Sequence, residues 1–209
     1  KQDGSVGYYQ TVNKTTPVAG DVKYVDRNGD GVVDDNDRDI IGNPNPDFTY
    51  GFQTKVSWKS LSLSASFNGV QGRDILNVGN RYNNTPGTKS NNVTRKAFQN
   101  MWTDENPSNL YPKSTFVVQN MVMDRYVEDG SYLRCSDITL SYVLPAKWTN
   151  KIGIKNTSVY ASVKNAFVIT DYSGYDPEVN SFAFDGLRPG VDMNSYPTPR
   201  SFVFGLNLT

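Results

Sequence analysis

The sequence predicts an all-β protein: five antiparallel strands of a transmembrane β-barrel, with long loops on one side of the membrane. Three observations carry that expectation. Aromatic residues are plentiful, with 13 Tyr, 10 Phe and 3 Trp, in a background of Asn, Ser, Gly, Thr and Asp that suits strands joined by polar loops. Five segments alternate apolar and polar residues with a period of two, which is how successive side chains leave a strand. The connections between them alternate short and long, the rhythm of bacterial outer-membrane barrels. No apolar run approaches the ~20 residues of a membrane helix. That excludes a helical membrane protein and leaves a barrel open, since barrel strands look hydrophilic on average.

Taken in order, residues 1–47 read as a loop region with an acidic cluster, expected to be extracellular. In 48–58 the even positions are Phe48, Tyr50, Phe52, Thr54, Val56 and Trp58, and the odd ones Thr49, Gly51, Gln53, Lys55 and Ser57. One face is therefore largely apolar with aromatics at both ends. After a tight turn at Lys59-Ser60, segment 61–70 sets Leu61, Leu63, Ala65 and Phe67 against Ser62, Ser64, Ser66 and Asn68. A long loop, 71–130, is expected to hold one short helix around Val93–Met101. The third strand, 131–144, sets Ile138, Leu140, Tyr142 and Leu144 against Asp137, Thr139 and Ser141. A moderate turn, 145–155, begins at Pro145. The fourth strand, 156–168, sets Val159, Ala161, Val163 and Phe167 against Ser158, Tyr160, Ser162 and Lys164. A second long loop, 169–199, leads to 200–209, where Phe202, Phe204, Leu206 and Leu208 oppose Ser201, Gly205, Asn207 and Thr209.

Compact soluble domains rarely carry irregular loops of such length. Trp58 is then expected at the periplasmic interface, with Phe48, Tyr50 and Phe67 near the outer one; Trp and Tyr favour those levels because their rings are apolar and their tips polar. Alternation alone also fits a soluble β-sandwich, which buries one face of each sheet against the other. The loop rhythm and the aromatic placement favour the barrel.

Composition narrows the function. The 21 basic and 21 acidic side chains cancel, and no basic stripe points to nucleic acid. The absence of His removes the commonest general base and metal ligand. Cys135 is alone and forms no internal disulfide. The loop carboxylates Asp124, Glu128 and Asp129 lack a catalytic partner, and no phosphate loop of the required spacing occurs. The chain reads as a non-enzyme. Its opening Lys-Gln-Asp-Gly-Ser-Val-Gly is loop-like, so it is expected to start inside a longer protein.

The sharpest motif is Asp26-Arg27-Asn28-Gly29-Asp30-Gly31-Val32-Val33-Asp34-Asp35-Asn36-Asp37. It fits the calcium-loop pattern D-x-[DN]-x-[DN]-G, whose oxygens fall at loop positions 1, 3, 5, 7, 9 and 12. The candidate ligands are Asp26, Asn28, Asp30, the Val32 carbonyl, Asp34 and Asp37, with Gly31 at the sharp turn. Position 12 is Asp37 where Glu is usual, and no helical flanks are evident, so an EF-hand is not expected. Calcium is the expected cation, in a structural role. The alternative is an Asx-rich turn that satisfies its own backbone. The loop aromatics Tyr82, Trp102, Tyr111, Tyr172, Tyr175, Phe182 and Phe184 are candidates for contact with substrate or a lid; the plainer reading is that they pack loops together.

Several segments, taken together, resemble the end of SusC/RagA-type TonB-linked outer-membrane transporters. They are Gly20-Asp21-Val22-Lys23-Tyr24 running into the acidic loop, Ile41-Gly42-Asn43-Pro44-Asn45-Pro46-Asp47-Phe48-Thr49-Tyr50-Gly51-Phe52, and Gly69-Val70-Gln71-Gly72-Arg73-Asp74. Val127-Glu128-Asp129-Gly130-Ser131-Tyr132-Leu133-Arg134 and Tyr172-Ser173-Gly174-Tyr175-Asp176-Pro177-Glu178 follow. Last comes Tyr196-Pro197 leading to Phe202-Val203-Phe204-Gly205-Leu206-Asn207-Leu208. The resemblance implies the last five strands of a plugged barrel of about 22 strands. It implies import of oligosaccharides or peptides, powered by TonB and capped by a SusD-like surface lipoprotein. The implied partners are the plug and earlier strands of the same transporter, that lipoprotein, TonB through segments absent here, and the lipid bilayer. Such barrels commonly finish on an aromatic residue, whereas this chain ends on Thr209. Two other readings stand beside it: a secreted calcium-dependent glycan-binding module, and a siderophore-type TonB receptor, against which the Asp-Asn loop and the Ser131-Tyr132-Leu133-Arg134 segment argue.

Overall fold

The computed structural model describes residues 18–85, 92–114, 122–149, 154, 157–178 and 180–208. Residues 1–17 of the expected opening loop, Asn156 of the fourth expected strand and Thr209 of the last lie outside them. Among the described residues eight strands are found: β1 Phe48–Trp58, β2 Leu61–Gln71, β3 Asp74–Asn77, β4 Val127–Asp129, β5 Tyr132–Val143, β6 Thr157–Thr170, β7 Val191–Asp192 and β8 Ser201–Leu208. The five long ones form one antiparallel sheet in the order β1-β2-β5-β6-β8. Among the described residues the sheet is open, with β1 and β8 as its edges.

The period-two pattern becomes two faces. Register pairs Phe52 with Phe67, Val56 with Leu63 and Trp58 with Leu61 across β1 and β2. Leu63 then meets Leu140, Leu140 meets Ala161, and Ala161 meets Phe204. One apolar face thus runs across all five strands, and its large side chains, among them Phe52, Val56, Trp58, Leu63, Leu140, Phe202, Phe204 and Leu206, are exposed. A sandwich would have covered this face. The opposite face carries hydroxyls and a few charges: Ser57 and Ser62 are 2.9 Å apart, and Asp137 accepts from Thr139 and Ser162 at 2.8 Å each and pairs with Lys164.

All long connections leave one end of the sheet and the short ones the other. The β1–β2 turn needs only Lys59 and Ser60, with Lys59 in the left-handed region at φ 52°, as two-residue hairpins require. The Lys59 ammonium lies 4.8 Å from the Trp58 ring centroid. Helix α3, Ala146–Thr149, lies in the β5–β6 connection and leaves Trp148 exposed. Phe67 differs from expectation. It belongs to a transverse aromatic row, 4.5 Å from Phe52 and 6.4 Å from Phe167, because register sets it four pairs in from Phe48.

The long connections are less irregular than their composition suggests. Strand β3 pairs antiparallel with β4 and parallel with β7, a second small sheet whose strands are too short to show periodicity. Its centre is Ile75, fully buried. A Cβ on Gly130 would fall 2.5 Å from the Ile75 side chain, which is why the segment before β5 carries glycine there. Helix α2, Arg95–Asn100, lies inside the expected Val93–Met101 and is capped by the Thr94 hydroxyl, which accepts from the Ala97 N–H. Helix α1, Val78–Asn83, was not expected.

By compactness the chain divides in two: Gly42–Asn77 with Val127–Thr209, which holds every strand, and Lys1–Ile41 with Val78–Tyr126, which holds α1, α2 and the acidic loop. Among the described residues no helix is long and apolar enough to cross a membrane.

Candidate functional site

The densest set of polar contacts in the strand-bearing unit gathers around the turn Tyr172–Glu178. It begins with a defect in β5. Between β2 and β5 the register slips at Ser66/Phe67, so that Ser136 is an extra residue, its hydroxyl donating to the Ser66 carbonyl at 3.1 Å. Strict alternation from Asp137, Thr139 and Ser141 would send Arg134 to the apolar face. The bulge reverses that: Arg134 pairs with Asn68, and Asp137 with Ser66, all on the polar face. Re-aiming a side chain is what bulges do.

Arg134 is 5% exposed and faces Asp176, 2% exposed. Its Nη2 donates to Asp176 Oδ1. Its Nε lies 2.6 Å from Glu178 Oε2, an ion pair in which the N–H does not align as a hydrogen bond. Both carboxylates are further satisfied. Asp176 accepts the N–H of Glu178 at 2.9 Å and of Thr198 at 3.0 Å; Glu178 Oε1 accepts from the Tyr132 hydroxyl at 2.5 Å and Asn68 Nδ2 at 3.1 Å. Burial pushes the Asp176 carboxyl up, but those two backbone N–H groups and the Arg134 charge outweigh it and hold the group below the ordinary carboxylate value. A buried pair of this kind adds little net stability, yet removing one partner costs about 3–5 kcal/mol.

The rest of the turn is tied as well. Arg73 Nη2 donates to the Pro177 carbonyl. Ser173 donates its N–H and its hydroxyl to Glu128, both at 2.9 Å. The Tyr172 hydroxyl donates to Asp192 at 2.7 Å, both residues buried. Burial and then that carboxylate push the Tyr172 phenol up. None of Arg73, Glu128, Arg134, Asp176, Glu178 or Asp192 was singled out from sequence as a site residue. The available signal was that all but Asp192 lie in the segments that carry the family resemblance.

Of the aromatics singled out, Tyr172 is a buried anchor and offers no free face. Tyr175 is 72% exposed and lines a shallow cleft with Arg134, Asp176, Thr198 and Arg200. Tyr82, Trp102 and Tyr111 belong to the other unit. There the Trp102 N–H donates to the Tyr111 carbonyl at 3.0 Å, while Arg81 lies 5.2 Å over the Tyr82 ring.

In the acidic loop the four candidate carboxylates, Asp26, Asp30, Asp34 and Asp37, are already acceptors. Asp26 takes the N–H groups of Gly29 at 2.7 Å and Gly31 at 2.8 Å, Asp30 that of Val32 at 2.8 Å, and Asp34 that of Asn36 at 2.8 Å. Asp37 takes those of Arg27 at 2.8 Å and Asp34 at 2.7 Å; the Asp34 N–H contributes most to holding its carboxyl below the ordinary value. The Asn28 amide oxygen accepts from Asp30 N–H at 2.9 Å. Arg27 pairs with Asp39 and Arg38 with Asp35. Self-satisfied Asx turns therefore relieve part of the crowding, and among the described residues no three acidic side chains converge on one point. Most of these carboxylate oxygens keep a second lone pair; Asp37 Oδ1 is the exception, taking the N–H groups of both Arg27 and Asn28.

No family model matches the chain. TonB-dependent receptor P26 of Formosa agariphila is 34% identical over 200 residues, which is 92% of this chain and 20% of the relative. TonB-dependent receptor SusC of Bacteroides thetaiotaomicron is 34% identical over 192 residues, 88% of this chain and 17% of the relative. Among solved structures, the RagAB peptide importer in its closed-closed state matches with a TM-score of 0.68 and 29% identity, covering 81% of this chain and 18% of that one. In its open-open state the values are 0.69, 27%, 94% and 19%. The chain thus spans about a fifth of the length of the relatives it matches. A sheet with one lipid-type face and one polar face, joined to this likeness in sequence and fold along most of the chain, identifies it: the chain belongs to the SusC/RagA-type TonB-dependent receptors, β-barrel proteins of the outer membrane.

Proposed function

We propose that this chain is the C-terminal wall segment of an importer of oligosaccharides or peptides, driven through TonB and capped by a SusD-like lipoprotein. The observation that carries the reading is the sheet itself: a continuous exposed apolar face, a hydroxyl-lined opposite face and, among the described residues, two open edges. In hydrocarbon an unpaired N–H or C=O costs several kcal/mol, so the edges of β1 and β8 are completed by other strands of the receptor. The end that bears the long connections is the extracellular one. The solved relatives are named as a peptide importer, which makes peptides the first cargo to test. The Asp26–Asp37 loop would hold Ca²⁺ structurally, with Asp26, Asn28, Asp30, Asp34, Asp37 and the Val32 carbonyl as ligands.

The test is complementation. Cells lacking the receptor are supplied with the complete wild-type protein, and uptake of fluorescent peptide and oligosaccharide libraries is measured with and without an intact TonB. TonB-dependent uptake of either cargo, with the lipoprotein co-purifying, is expected. Uptake of neither, together with a receptor that purifies without detergent, would refute it.

A further inference from the structure

We propose that Arg134 is a positioning residue: it pins the Tyr172–Glu178 turn to the polar face of the sheet and makes that turn a fixed ledge presenting Tyr175, and not a moving gate. Calling that face the lumen side rests on the importer reading; the pin itself rests on contacts within one compact unit.

The backbone is arranged for this purpose. Only the Ser136 bulge brings the Arg134 guanidinium to the polar face, and on the neighbouring strand Asn165 takes up the register change at φ 51°. The turn is then held at Tyr172, Ser173, Asp176, Pro177 and Glu178, by residues from β2, the β2–β3 corner, β4, β5 and β7. Gly174 and Tyr175 alone have no such tie in this set. Gly174 is required because a Cβ would sit 2.4 Å from the Tyr172 ring. Tyr175 is left as the exposed aromatic of an otherwise clamped turn. A side chain on a clamped backbone has lost little freedom before it meets a ligand, which is how preorganisation works.

The clamp is also pH-dependent. Asp176 and Glu178 are faced by Arg134 and Tyr132 of β5, by Asn68 of β2, by Arg73 at the β2–β3 corner, and by Arg200 ahead of β8 across the cleft. The lowered value of Asp176 means that folding favours its ionised form. Its contribution is therefore full at neutral pH and is lost as pH falls from the ordinary carboxylate value through the lowered one.

The experiment is hydrogen exchange on the complete receptor with its lipoprotein in detergent, following the 172–178 amides against those of β5 and β6. Wild type, Arg134→Lys, Arg134→Met and Asp176→Asn are compared at neutral pH and along an acid series, as protection factors. Arg134→Met is expected to lower ledge protection on the order of a hundredfold while strand protection persists, and Arg134→Lys to restore part of it. Wild type should lose the same protection in acid, and Arg134→Met should show a smaller step, because the Glu178 and Thr198 N–H groups still favour the ionised Asp176. A ledge that exchanges freely in the wild type, one indifferent to Arg134→Met, or identical acid profiles would overturn the proposal. If Arg134→Met does not assemble, the near-isosteric Asp176→Asn carries the same comparison. Unprotected strands in the wild type would count against the barrel reading and leave the comparison between ledges intact.

Discussion

Placing an arginine on each face of β1 measures the membrane assignment directly. Phe52 is the fifth of eleven residues in β1. At a rise of about 3.3 Å and a tilt near 45°, such a strand crosses about 25 Å, so Phe52 lies close to the mid-level. Arginine there, facing lipid, costs about 2–4 kcal/mol. The substitution also removes a ring stacked on Phe67 at 4.5 Å and 15°, an arrangement worth about 0.5–1.5 kcal/mol. The sum, about 2.5–5.5 kcal/mol, lowers the folded-to-unfolded ratio by roughly sixtyfold to ten-thousandfold. Gln53 is the next residue but shares the polar face with Ser66, its register partner, and arginine there should stay within about 0.5 kcal/mol. The assay is urea unfolding of the complete receptor from lipid vesicles, comparing Phe52→Arg, Gln53→Arg and, to isolate the stack, Phe52→Leu. Equal destabilisation by the two arginines, or a larger effect at Gln53, would refute the assignment of faces.

Three further outcomes are expected. Calcium titration with metal analysis should show saturable binding by the wild-type acidic loop and strong weakening in Asp30→Ala; a loop that stays metal-free in millimolar calcium ends the idea. Tyr172→Phe leaves the buried Asp192 carboxylate short of a donor and should lower protection of the 171–192 segment by about 1–3 kcal/mol, read by hydrogen exchange; because the Tyr172 phenol is pushed up, the wild-type contribution should hold below the ordinary phenol value and fade above it, a fade that Tyr172→Phe should lack. Phe184 and Leu187 are 88% and 92% exposed at the tip of the 169–199 loop, and Phe184→Ser with Leu187→Ser should spare barrel assembly but reduce lipoprotein recovered in a pull-down; undiminished recovery would remove that tip from the contact surface.

What could be read from the sequence was local. Side chains alternate across a strand whatever the strand pairs with, so the split of Phe52 and Val56 from Gln53 and Lys55 was visible in one dimension, as were the two-residue turn at Lys59-Ser60 and the motif segments. The short helix expected around Val93–Met101 was legible for the same reason; its Thr94 cap, which was not singled out, lies within one turn of it. The rest depended on partners distant in the chain. Strands as short as β3, β4 and β7 have no readable period; they exist because Ile75 and its neighbours bury one another. The site shows the limit most sharply. Counting from Asp137 by twos turns Arg134 toward lipid, where a guanidinium would be expensive. Only pairing with β2, which makes Ser136 the extra residue, turns it toward two carboxylates 42 and 44 positions away. A period is a property of one strand, whereas a bulge is a property of two, so the faces were determined by the sequence alone and the direction of Arg134 by the tertiary structure.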